Sequence, residues 1–104
     1  MNREEFEQAL ARWLEGAQAI INRNYAQHFP SLTPGTLSLE RGKKYIRVVK
    51  TDSQRMVHAF IDATNGDVLK PDSWKRPAKH ARGNIFDEGN GLGAMSAYGP
   101  AYLR

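Results

Sequence analysis

The first 28 residues constrain the fold most. Phe6, Leu10, Trp13, Leu14, Ala17, Ile20, Ile21 and Tyr25 recur at three- and four-residue steps, which places them on one face of a helix over residues 2–28. Asn2 can cap its first turn, with Glu5 reaching back in a capping-box arrangement, and Glu4, Glu5 and Glu7 sit where the helix dipole favours negative charge. Pro30 and the Pro34-Gly35 pair end it. A helix with one apolar stripe needs a second layer to cover that stripe.

The following segments supply strands. Residues 36–40 put Leu37 and Leu39 on one side, and 43–51 (KKYIRVVKT) put Ile46 and Val48 opposite Tyr45, Arg47 and Val49. Residues 55–62 (RMVHAFID) set Val57, Ala59 and Ile61 against Met56, His58 and Phe60. Turns are expected at Arg41-Gly42, Asp52-Ser53 and Asn65-Gly66, the last leading into a strand over 67–70. Connections this short make antiparallel neighbours. The fold class is therefore α+β: a long N-terminal helix packed on an antiparallel meander of three or four strands. From Pro71 the periodicity fails. Pro77 is expected to open a single helical turn, PAKHAR, stopped by Gly83, followed by a glycine-rich loop and a C-terminal segment.

A chain of 104 residues makes one domain, 1–104, with one modest core. At 40% hydrophobic and 25% charged it has the balance of a globular protein and not of a disordered tail. No apolar run approaches the about 20 residues that a bilayer crossing needs. The opening MNREEFEQAL carries acids where a signal peptide carries bases, so the expected location is the cytoplasm, away from membranes. Without cysteine there is no disulfide framework or thiolate metal site, and no cofactor is expected. The net charge of +4 arises beyond the helix: residues 1–29 hold three bases and four acids, whereas 30–70 hold seven and four, and 71–104 five and three. An anionic partner accounts for that excess, as does a solvated surface.

The excess is densest in SWKRPAKHARGN, residues 73–84, where Lys75, Arg76, Lys79, His80 and Arg82 accompany Trp74 and no acid. Lysine offers a compact charge and arginine a planar fork for two phosphate oxygens. Trp74 can stack on a base, a contact worth about 1–3 kcal/mol, and Asn84 can read a base edge or hold the loop. In the plainer alternative Trp74 anchors a loop, Arg82 pairs with Asp87 or Glu88, and the lysines are solvated. Arg47 shares its strand face with Tyr45, and the register decides whether Arg55 joins them. Tyr98 and the C-terminal Arg104 either complete the same pocket or belong to a frayed end.

Catalytic signals are sparse. His28, His58 and His80 show no metal-ligand spacing, and His58, in mid-strand, suits a packed position. No serine or carboxylate stands beside His80 in triad order, so a nuclease using His80, Lys79 and Arg82 is the lesser alternative to a non-enzymatic protein. GNGLGA, residues 89–94, lacks the GK[ST] ending of a phosphate loop.

The stretches GKKYIRVVK and VHAFIDATNGDVLKPDSWKRPAKHARGNIFDE, with the closing AYGPAYLR, resemble a group of small phage-encoded proteins of mostly unassigned function, from about Gly42 to Arg104. The resemblance implies a viral origin and the host-cell cytoplasm. By class it implies similarity to counter-defence sponges, which neutralise Thoeris or CBASS immunity by sequestering cyclic nucleotides. No pocket residue is carried over from them.

The expected function is sequestration of a nucleotide-type, phosphorylated ligand by a homo-oligomer, through Trp74, Lys75, Arg76, Lys79, His80, Arg82 and Asn84, with Arg47, Arg55, Tyr98 and Arg104 as further candidates. The alternatives are a protein binding single-stranded DNA or RNA, and an inhibitor that blocks a host defence protein by direct binding.

Overall fold

A computed structural model describes residues 2–100. Helix α1 runs Arg3–His28. Its first turn is closed as the capping pattern requires: the Glu5 N–H donates to Asn2 Oδ1 at 2.7 Å, and the Asn2 amide donates to Glu5 Oε1 at 2.9 Å. The apolar stripe buries Phe6, Ala9, Leu10, Trp13, Ala17 and Ile21. Among the described residues no helix is long and apolar enough to cross a membrane.

Five strands follow as an antiparallel meander in the order β1-β2-β3-β4-β5: β1 Thr36–Arg41, β2 Tyr45–Thr51, β3 Arg55–Asp62, β4 Asp67–Pro71 and β5 Pro77–Asn84. Leu37, Ile46, Val48, Ala59, Ile61 and Val68 form one core with the helix stripe and Ile85. Gln18 fastens α1 to the sheet edge, donating to the Gly35 carbonyl and accepting from the Leu37 N–H, both at 2.8 Å. The α+β class is as read from the periodicity.

One expected element is different. Residues 77–82, anticipated as a helical turn, form most of β5, paired with β4 from Pro71↔Pro77 to Asp67↔Asn84. The cause lies just before it. The N–H groups of Asp72 and Ser73 both donate to the Arg76 carbonyl, at 3.0 and 3.1 Å, and this turn reverses the chain onto the open edge of β4. An isolated helical turn would leave most of its peptide groups without partners, whereas the β4 edge supplies them. Proline is tolerated there because it stands first in an edge strand, where no ladder N–H is needed.

Two short strands, β6 Met95–Ser96 and β7 Gly99–Pro100, close the described chain, β6 against α1 and β7 against β3 and β4. Gly99 has φ +107°, and a Cβ there would stand 2.5 Å from the His58 carbonyl oxygen. Gly99→Ala is therefore expected to cost about 2 kcal/mol, from a disfavoured backbone conformation and a clash with rigid main chain. Urea unfolding of the variant beside the parent measures it; an unchanged midpoint would mean that β7 does not rest on β3.

Candidate functional site on the open face of the sheet

Alternation along the strands sends one set of side chains to α1 and the other to the opposite face. Across that second face the register places Glu40, Arg47, Phe60, Leu69 and Ala81 in one row, one residue from each strand of the main sheet. Phe60 is only 2% exposed and Leu69 6%, so the row has an apolar centre with charge on the β1 and β2 side.

The tip of the β4–β5 hairpin reaches this row. The Trp74 carbonyl accepts a hydrogen bond from Arg47 Nε at 2.8 Å. The guanidinium carbons of Arg47 and Arg55 stand 4.9 and 5.5 Å from the centroid of the Trp74 ring, within cation–π range. Glu40 ties the arginines together: Arg47 Nη1 donates to Oε1 at 2.8 Å and Arg55 Nη2 to Oε2 at 2.5 Å. The hydrogen bond from Arg47, then that from Arg55, holds the Glu40 carboxyl below its ordinary range. Arg47 is also 6.0 Å from the Phe60 ring, which meets Tyr45 edge-on at 6.3 Å. Beside this cluster a cleft of 280 Å³ is lined by Glu40, Arg41, Gly42, Lys44, Tyr45, Arg47, Phe60 and Lys75.

Four of the residues anticipated from sequence thus come together: Trp74, Lys75, Arg47 and Arg55. The remainder disperse. Arg76 pairs with Asp72 at 3.3 Å beside the turn. Lys79 and His80 are exposed on β5, where Arg82 donates to the His80 carbonyl. Asn84 holds the far loops together: its amide donates to the Asn65 carbonyl at 2.9 Å and Asp67 Oδ1 at 3.0 Å, and its Oδ1 accepts from the Phe86 N–H. Of the two alternatives stated for Asn84, the loop-holding one describes these bonds. Tyr98 is 74% exposed between β6 and β7, and Arg104 lies outside the described residues. Glu40, Lys44 and Phe60 were missed. The signal for Glu40 was its position facing Arg47 across the first hairpin.

One helix on a five-stranded antiparallel meander, with arginines and aromatics gathered on the face away from the helix, defines a small α+β protein whose chemistry-bearing groups lie on its sheet. The chain belongs to a family of unknown function, DUF7717, which matches residues 2–98. No curated protein and no solved structure matches it.

Proposed function

We propose that this chain is a non-enzymatic binding protein that captures a nucleotide-type ligand on the open sheet face. The observation that carries the reading is the meeting of Lys44, Lys75 and Arg47 with Tyr45 and Phe60 around one cleft, with the Trp74 ring against Arg47. The two lysines suit phosphate oxygens, and the half-buried Tyr45 ring suits a base. The cleft's carboxylate is a poor general base, because two arginines hold Glu40 ionised and hydrogen-bonded. In the phage setting that the resemblance implies, capture would occur in the host-cell cytoplasm and withhold a nucleotide from a defence system.

Calorimetric titration with a nucleoside monophosphate tests this. Charge reversal at Lys44 and Lys75 together is expected to weaken binding by at least about tenfold, and Tyr45→Ala by about tenfold if a base stacks there. Unchanged affinity in both variants would remove the cleft from consideration.

A second reading, a protein for single-stranded nucleic acid, is favoured by the exposed Lys79 and His80 on β5, which continue the basic character beyond the hairpin tip. Each phosphate neutralised by a strand steepens the fall of affinity with salt, so log–log plots against ionic strength separate a strand from a single nucleotide.

A further inference from the structure

The turn joining β1 to β2, residues 42–44, stands between two recesses. On one side is the open-face cleft described above. On the other, a larger recess of 410 Å³ opens where α1 and the sheet diverge, and Arg41 and Gly42 border both. Its lining includes Phe6 and Ile46, 8% and 2% exposed, with Ala63 beside them. Its exposed rim carries Arg3 and Lys43. Arg41 forms a fixed wall, bound to Glu7 by two hydrogen bonds of 2.8 Å. The fork-to-carboxylate geometry neutralises its charge and sets its position.

The two recesses therefore share a wall, and each sets a lysine of the turn beside an aromatic ring and an arginine-paired carboxylate, Glu7 in one and Glu40 in the other. Lys43 and Lys44 are adjacent in the chain, yet Lys43 lines the larger recess and Lys44 the open-face cleft. Cations on the two sides of one turn mark a path for a phosphate between two places where a flat apolar group can rest. A single nucleotide occupies only one of them.

Resting on the open-face reading, we infer that the ligand is a single strand of at least two nucleotides straddling this turn. One base lies in the open-face cleft and the next in the recess lined by Phe6 and Ile46. The linking phosphate passes between Lys43 and Lys44, and Arg3 meets the strand beyond.

The test is calorimetry at fixed ionic strength with thymidine monophosphate and a phosphorylated thymidine dinucleotide. Arg3, Lys43, Lys44 and Lys75 are all exposed, so their neutralisation leaves the core intact, and thermal melts confirm folding. The parent protein is expected to bind the dinucleotide about tenfold more tightly than the monophosphate. Arg3→Gln with Lys43→Gln should erase that gain and leave monophosphate affinity unchanged, while Lys44→Gln with Lys75→Gln should weaken both ligands. If the first pair leaves dinucleotide affinity intact while the second weakens it, the larger recess is no part of the site and the open-face reading stands. Equal affinity of the parent for the two ligands overturns the inference in the same way. If the second pair changes neither affinity, or the parent binds neither ligand, the open-face reading falls and the inference with it.

Discussion

Trp13→Ala is expected to lower the unfolding free energy by about 3–5 kcal/mol, a third or more of the margin of a typical small domain. Trp13 is 0% exposed and is the largest fully buried side chain, set in α1 within the cluster shared with Val48, Ile61, Val68 and Ile85. Its removal opens a cavity that helix and sheet can close only in part, because both are rigid. The melting temperature should fall by about 20 °C in a circular-dichroism scan. The indole adds a sharper test. Trp13 Nε1 is buried with no hydrogen-bond partner among the described residues, a burden of about 1–3 kcal/mol already carried by the native state. Trp13→Phe removes that orphan donor along with part of the ring, so its cost should be far below that of alanine, about 1 kcal/mol. A loss for Trp13→Phe well above about 1 kcal/mol would show that the indole N–H has a partner; a wild-type melt for Trp13→Ala would remove the helix from the core.

The helix and its docking were legible because one physical signal decides them. Apolar spacing over 2–28 determines both where the helix runs and which face meets the sheet, and Arg3–His28 follows it almost residue for residue. Strands β1 to β3 were legible for a similar reason, from apolar residues at alternate positions, and β4 from the Asn65-Gly66 turn before it; Val57, expected on one face with Ala59 and Ile61, is moved out of that set by the register shift in β3. β5 has no such signature. At its centre Lys79, His80 and Ala81 are all exposed, so nothing in the order of residues distinguishes that segment from a helical turn. What makes it a strand is the vacant edge of β4, and a vacancy is a property of the assembled sheet. Tertiary pairing overrides local preference here.

The site divides along the same line. Trp74, Arg47 and Arg55 could be singled out as chemical types, but their meeting depends on the hairpin tip folding back across β3 to reach β2, a path set by turn geometry. Two irregularities in the β4–β5 register, on either side of Leu69, accompany that path. Asn84 illustrates the converse. It sits in the most basic stretch of the chain, yet its amide ties Asn65, Asp67 and Phe86 together, which only the fold could reveal. The order of residues carried what each side chain can do, and the sheet decided which of them act together.

Acid sensitivity between pH 6.5 and 4 is the second large effect, and it comes from His58. The register of β2 and β3 runs Val48↔Ala59 and then Val49↔Val57, which leaves His58 as an extra residue at a bulge. There it is 4% exposed, and its Nε2 finds no hydrogen-bond partner among the described residues. Burial, with a smaller contribution from the nearby Lys50 ammonium, lowers its pKa from 6.5 to about 4. The native state therefore keeps the ring neutral at pH values where the unfolded chain binds a proton. The favourable contribution is complete above pH 6.5 and is lost as the pH falls toward 4, amounting to about 3 kcal/mol. Glu7 and Glu40 are held below their ordinary 4.5 by their arginine partners, so their own losses begin as the pH nears 4.5, where the unfolded chain takes up protons, and grow below it. Urea unfolding at pH 7 and 4.5 should show the parent losing about 2 kcal/mol through this histidine, whereas His58→Leu, whatever its stability at pH 7, should lose much less over the same interval. A proton NMR titration of the imidazole should place its midpoint near 4. A midpoint near 6.5, or equal losses in parent and variant, would mean that water reaches the bulge and that β7 does not seal it.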